Sequence, residues 1–270
     1  MSQKFSSSDV ARFRFAQRVA YEAAVSVAEG LARGTTEKAA AAKLEQTLAA
    51  RGVHQYFHKP FAWFGDRTRL PGRRALPTAF FPTDRALEPN MIGILDVAPV
   101  VDGYAVDIGY TFTCGEPDRA VAAAMDTLRE IRALIPEHVT RGDTMRSIYR
   151  RIDRMFAERG YENRHCRYPG GVLGHRVAKL NGTGTRTVAG FGIEALTGLA
   201  RGELLARLPL FASRKALWNG EASAARAVPP GLWAIEPHLG TAHFGAKFEE
   251  LLVVDEGGAA RWLDDTVPHA

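Results

Sequence analysis

The sequence is poor in cysteine: Cys114 and Cys166 are the only two among 270 residues. Two thiols cannot form the disulfide framework of a small secreted domain, and no Cys-x-x-Cys spacing marks a zinc site. Nor is there any run of about 18 apolar residues, which excludes a transmembrane helix. The opening stretch MSQKFSSSDVARFRF has no apolar segment of the kind a secretory signal needs. A reduced, cytoplasmic protein without membrane contact is the expectation. Charge of one sign is scarce as well. The 35 basic and 30 acidic residues leave a net +5, and Lys and Arg are scattered rather than clustered. That reads as a solvated surface rather than a nucleic-acid site. With 46% hydrophobic and 24% charged residues, the chain has a globular composition, and global disorder is excluded.

The pattern of elements suggests two related halves. An amphipathic segment runs from about Asp9 to Arg33. A second helix follows Gly34, with Thr35 or Thr36 as its cap and Gly52 as its stop. Residues from about His54 to Leu87 read as loop. MIGILDVAPVVDGYAVDIGYTFT then predicts a hairpin turning at Asp102-Gly103. In the second half, Asp118 to Leu134 is helical in pattern. A further helix opens at Gly142-Asp143-Thr144, carries Met145, Ile148, Tyr149, Ile152, Met155 and Phe156 on one face, and ends at Gly160. GLWAIEPHL and AKFEELLVV are the last strand-like runs. Both capped helices begin Gly-x-Thr, both span 18 positions from glycine to glycine, and they lie 108 positions apart. Either the chain repeats helix, helix, hairpin, or it has two similar capped helices. If the repeat holds, residues 1–270 form one α+β domain, with halves at about 8–115 and 116–264. Residues 198–230 read as an insertion in the second half.

Acidic residues inside apolar strands stand out. A two-residue turn pairs Val101 with Tyr104, which sets Asp96 opposite Gly109 and makes Asp107 a diagonal neighbour on the same face. Two carboxylates that close in an apolar setting need something positive between them. Glu236 and Glu249 occupy the arms of the second hairpin. Four carboxylates with one imidazole can bind two divalent ions through shared oxygens. The imidazole candidate is His175, in a Gly-rich segment beginning at Gly170. Cys166 beside His165 is not a nucleophile pair if the segment is a strand, because strand neighbours point to opposite faces.

The order Asp96, Asp107, His175, Glu236, Glu249, carried by the strings LEPNMIGILDV, DIGYTFTCGEP, GVLGH, WAIEP and GAKFEELLVVDEGG, resembles the pita-bread metallopeptidases. That family includes methionine aminopeptidase, aminopeptidase P, prolidase and creatinase. The last string resembles the family's Arg-Ile-Glu-Asp strand, which selects Glu249 rather than Glu250. The resemblance covers nearly the whole chain, and implies a pseudo-two-fold α+β fold of helix-helix-hairpin halves around a central curved antiparallel sheet. It leaves no room for the extra N-terminal domain of the larger members, and it leaves a homodimer open. It implies two divalent ions, manganese foremost, with cobalt, iron or zinc as alternatives. Asp107, His175, Glu236 and Glu249 would bind the first, and Asp96, Asp107 and Glu249 the second. Glu236 would also shuttle a proton in hydrolysis of an N-terminal or Xaa-Pro peptide bond.

Two family histidines that contact substrate have no counterpart. None lies in PTAFFPTDRALEPN, and Gly182 stands at the other position. His238 is the catalytic replacement expected first, with His243, His54 and His58 as others. Tyr110, Trp63 and Trp233 either line a pocket or belong to the core. A creatinase-like hydrolase of a small amide or amidine, and a peptidase-like binding module, are the alternative readings.

Overall fold

The computed structural model describes residues 5–70, 77–168, 171–177, 179–180, 187–188, 191–192, 217–220 and 226–269. Gly170, Gly182 and most of 198–230 lie outside the described residues.

Helix α1 (Ser7–Glu29) starts at a capping box, in which the Ser6 side chain accepts from the Asp9 amide and the Asp9 carboxylate accepts from the Ser6 amide. Helix α2 (Glu37–Ala50) is capped by Thr36, α3 (Arg119–Thr140) by Asp118 and α4 (Met145–Glu158) by Thr144. The α3 pattern was expected to end near Leu134, yet the helix continues through Pro136. Proline has no N–H for the carbonyl four residues earlier. That carbonyl, on Arg132, instead accepts from Trp262 Nε1 at 3.0 Å.

The strands are β1 (Gln55–Phe64), β2 (Ile92–Val101), β3 (Tyr104–Ala105), β4 (Ile108–Thr113), β5 (Glu162–Asn163), β6 (Val172–Arg176), β7 (Thr187–Val188), β8 (Phe191–Gly192), β9 (Leu217–Asn219), β10 (Gly231–Ile235), β11 (His238–Gly240), β12 (Gly245–Val254) and β13 (Ala260–Trp262). They form one antiparallel sheet whose main path runs β7-β8-β1-β2-β4-β12-β10-β6-β9. Strand β1 corrects the loop expected from His54 onward. Pro60 interrupts the strand pattern, and the sheet absorbs it through register shifts between Tyr56 and His58 and between His58 and Phe61. The β2–β3–β4 hairpin has the expected register: Val101 faces Tyr104 and Asp96 faces Gly109. Asp102 and Gly103 both have positive φ, +50° and +84°, as a type I′ turn requires.

The two halves correspond in detail. Gly34 and Gly142 precede the capping threonines with φ of +86° and +82°, and Gly52 and Gly160 end the helices with φ of +81° and +77°. Thr36 bridges to Ala86, and Thr144 bridges to Ala227. The Glu37 amide donates to the Arg85 carbonyl at 3.0 Å, and the Met145 amide to the Arg226 carbonyl at 2.9 Å. Each helix pair buries its apolar stripe on its own half of the sheet. Leu44, Leu48, Leu95, Val97 and Ile108 share one core, and Leu128, Ile152, Trp233, Phe248 and Leu252 share the other. A fully buried leucine in either core contributes about 1.5–3 kcal/mol. The opposite face of the sheet carries an aromatic cluster including Phe61, Trp63, Phe80 and Tyr168. Both faces are thus covered, which explains why these strands read as continuous apolar runs.

Candidate metal centre

Alternation along each strand decides which side chains reach the second face. On β2, Leu95 and Val97 pack under the helices, so Ile94 and Asp96 point the other way. On β12, Phe248 enters the helix-side core and Glu250 bonds Arg132 Nε of α3 at 2.5 Å, leaving Lys247 and Glu249 on the opposite face. Strands β1, β2, β4, β12, β10 and β6 are consecutive in the sheet. They, or the residues joining them, bring together His58, Asp96, Asp107, Lys247, Glu249, Glu236 and His175.

His175 Nε2 lies 3.4 Å from Asp107 Oδ2 and 3.7 Å from Glu249 Oε1. Its Nδ1 lies 3.3 Å from the Arg176 carbonyl, which sets Nδ1 as the donor and leaves Nε2 toward the carboxylates. Lys247 Nζ donates to Asp96 Oδ2 at 2.6 Å, Glu249 Oε2 at 2.8 Å and Glu236 Oε2 at 3.2 Å. On the other flank, His58 Nε2 sits 3.2 Å from Asp107 Oδ1 and 3.4 Å from Asp96 Oδ1, while Nδ1 donates to the Lys59 carbonyl at 2.9 Å. All the carboxylates and Lys247 are buried.

The electrostatics follow from that crowding. Burial, with Glu249 and Asp107 adding to it, pushes the Asp96 carboxyl up to about 6 against the pull of Lys247 and His58. Burial also acts to raise Asp107, but His58 and His175 on either side hold it below the ordinary carboxylate range. Glu236 is pushed well above that range by burial and by Glu249. Burial opposes charge on Lys247, yet Asp96 and Glu249 overcome it and keep the ammonium protonated. Burial likewise opposes charge on His175, which Asp107 and Glu249 nevertheless raise well above the usual histidine range.

Among the described residues, two trios of ligand atoms could each hold a metal ion: Asp107, His175 and Glu249, and His58, Asp96 and Asp107. The first fits a divalent ion well. Ligands bonded at about 2.1 Å stand roughly 3.0–3.4 Å apart around an octahedral or tetrahedral ion, close to the spacings seen here. Glu249 Oε1 is buried without a hydrogen bond, as an oxygen awaiting a cation would be. The set expected for a second ion fits less well, because Asp96 Oδ2 and Glu249 Oε2 already bind Lys247.

The expected histidine replacements separate cleanly. His58 reaches the carboxylates, whereas His54 and His243 are exposed. His238 is fully buried with both ring nitrogens engaged: Nε2 donates to the Thr68 carbonyl at 2.7 Å, and Nδ1 accepts from the Tyr168 hydroxyl at 2.9 Å. Its backbone pairs with Lys247 across β11 and β12, and its ring meets the centre through Tyr168, whose ring lies 5.0 Å from Lys247 Nζ. Trp63 and Trp233 are buried in the cores with their indole N–H bonded to the Phe80 and Pro229 carbonyls, and Tyr110 is half-buried. Residues 165–167 form a 3-10 turn rather than a strand. His165 is buried and Cys166 exposed, so the two still diverge. Cys114 is half-buried beside the first core. Lys247 is the residue that sequence reasoning missed. The available signal was its position in GAKFEE, where the Arg-Ile-Glu-Asp strand has its arginine.

Residues 11–256 match the model of metallopeptidase family M24. Uncharacterized peptidases of Staphylococcus aureus, among them those of strains bovine RF122 / ET3-1 and MSSA476, are 24% identical over 131 residues. That match takes in 48% of this chain and 35% of the relative, so it spans about a third of their length. Among solved structures, X-Pro aminopeptidase from Thermotoga maritima superposes with a TM-score of 0.65 at 18% identity, covering 98% of this chain and 63% of that one. The prolidase from Pyrococcus horikoshii gives 0.67 at 16%, covering 97% and 64%. Methionine aminopeptidase from Rickettsia prowazekii gives 0.64 at 12%, covering 97% and 99%. These likenesses show the pita-bread fold.

Proposed function

The chain belongs to metallopeptidase family M24, and on that premise we propose that it is a divalent-metal hydrolase of the aminopeptidase or Xaa-Pro peptidase class, acting on the N-terminal bond of a peptide. The observation that carries this reading is the convergence of Asp107 Oδ2, His175 Nε2 and the unbonded Glu249 Oε1 on one buried point. Carboxylates with a single imidazole suit manganese, with cobalt, iron or zinc as alternatives. In the two-ion form of the reading, Glu236 completes the first set and Asp96 joins Asp107 and Glu249 in the second. A divalent ion bound there supplies a nucleophilic oxygen at neutral pH and polarises a carbonyl.

The chain's own side chains do the rest. Glu236 lies beside the ligand set, its Oε2 accepting from Lys247 Nζ at 3.2 Å, and is the carboxyl placed to take a proton from the nucleophile and pass it to a leaving amine. His58 Nε2 bonds the Asp107 carboxylate from β1, and His58 is the histidine besides His175 that reaches the ligand set, in place of the missing ones. His238 acts as a positioning residue by holding Tyr168 against Lys247.

The test is hydrolysis of a mixed peptide library by the manganese-loaded protein, read by mass spectrometry. We expect loss of N-terminal residues that falls at least about 100-fold in His175→Ala and Asp107→Ala, beyond what outer-shell changes cost. Absence of any cleavage by the loaded protein would refute the peptidase reading. A creatinase-like reaction on a small C–N substrate is the second reading, favoured by the permanent positive charge of Lys247 in the centre. Activity on an amide or amidine that survives exhaustive chelation would establish it.

A further inference from the structure

Lys247 occupies the centre as a cation would. Its side chain is 1% exposed, and its ammonium meets three carboxylate oxygens at 2.6, 2.8 and 3.2 Å. Two of those oxygens belong to Asp96 and Glu249, the residues that would share the second ion with Asp107. We infer that the Lys247 ammonium stands in for one of the two divalent cations by neutralising the Asp96 carboxylate that the His58, Asp96 and Asp107 trio also needs, so that this centre binds a single metal ion, at Asp107, His175 and Glu249, beside a fixed organic charge. The inference rests on the metal-hydrolase reading, because it presumes that a divalent ion binds here at all.

Three features make the ammonium hard to displace. Its stem is walled in: a Cβ built at Gly109 would lie 2.6 Å from Lys247 Cε, and the Tyr168 ring covers Nζ at 5.0 Å. The backbone is pinned, since Thr111 Oγ1 donates to the Lys247 carbonyl at 2.6 Å and accepts from its amide at 3.0 Å. Removal from the carboxylates would strand a buried unpaired charge, one of the costliest states in a protein interior. The residue type matters too. A lysine ammonium is a compact point charge that can sit among three oxygens, whereas a planar guanidinium addresses carboxylates edge-on and needs more room. An ammonium donates hydrogen bonds but does not bridge ions through a shared oxygen.

The experiment counts ions. The full-length chain is stripped with chelator, reloaded with excess Mn2+, desalted, and measured by elemental analysis and native mass spectrometry, with an electron paramagnetic resonance spectrum of the same sample. We expect one ion per chain and the spectrum of isolated Mn2+. In Lys247→Met, which keeps an unbranched stem one atom shorter and loses the charge, we expect two ions per chain and an exchange-coupled spectrum. Two ions with a coupled spectrum in the unaltered protein overturn the inference, as does a folded Lys247→Met that still holds one. No ion at all overturns the metal reading and the inference with it. Should Lys247→Met fail to fold, the count and spectrum of the unaltered chain decide alone.

Discussion

Alanine at position 109 would probe how tightly the centre is built. Gly109 lies between Asp96 and Glu249 in the ladder, opposite each of them on its two flanks. A Cβ there would stand 2.6 Å from Lys247 Cε and 3.2 Å from both Lys247 Nζ and Glu249 Cβ. The lysine stem cannot swing out, because it is fully buried. Overpacking of this kind costs about 1–3 kcal/mol. The stiffer unfolded chain of the variant returns about 0.4–1 kcal/mol. We therefore expect Gly109→Ala to lose about 1–2 kcal/mol, or roughly 2–8 °C in Tm for a chain of this size. Thermal unfolding of the metal-free protein measures it. Lys247→Ala removes the clashing atoms, so in that background Gly109→Ala should cost about 1–2 kcal/mol less. Equal costs in the two backgrounds, or a Gly109→Ala protein as stable as the parent, would refute the reasoning that a Cβ at position 109 crowds the Lys247 stem.

Two further outcomes can be checked on stability alone. Burial lowers His165 to about 3, with its ring edge-on to Tyr149 at 4.9 Å. Its folded value lies below the ordinary 6.5, so its contribution is whole above about pH 6.5 and is lost as pH falls toward 3, at about 1.4 kcal/mol per pH unit. Denaturant unfolding between pH 7 and pH 5 should show that slope, and His165→Phe should remove it; an unchanged slope would assign it to other groups. Gln17 Oε1 of α1 accepts from the Leu251 amide of β12 at 2.7 Å. Gln17→Leu leaves that buried amide unbonded, for an expected loss of about 1–3 kcal/mol, and a change below about 0.5 kcal/mol would show that water replaces the bond.

Much of the first hairpin was legible because its determinants are local. Asp102-Gly103 can adopt the positive φ pair of a tight turn, and the turn alone then sets Asp96 against Gly109. The helix starts were legible for the same reason, since Thr36, Asp118 and Thr144 each bond an amide three residues on. The fold class followed from the resemblance and the repeated Gly-x-Thr helices. Strand β1 was not legible. Pro60 breaks the alternation that identifies a strand, and only pairing with its sheet neighbours, chiefly β2, makes the segment extended. His58 was therefore one loop histidine among several until that pairing carried it to Asp107.

By itself, the sequence determined which residues are acidic, which turns are tight and where the helices begin, because those depend on the chemistry of a few neighbouring positions. It also placed Lys247 and Glu249 two residues apart on one strand, and therefore on one face. What that face meets was decided by tertiary structure alone. Closing the sheet set β12 between β4 and β10, and carboxylates from positions 96 and 236 then converged on one ammonium. A buried lysine is stable only when such distant charges surround it, and no local pattern records that they do.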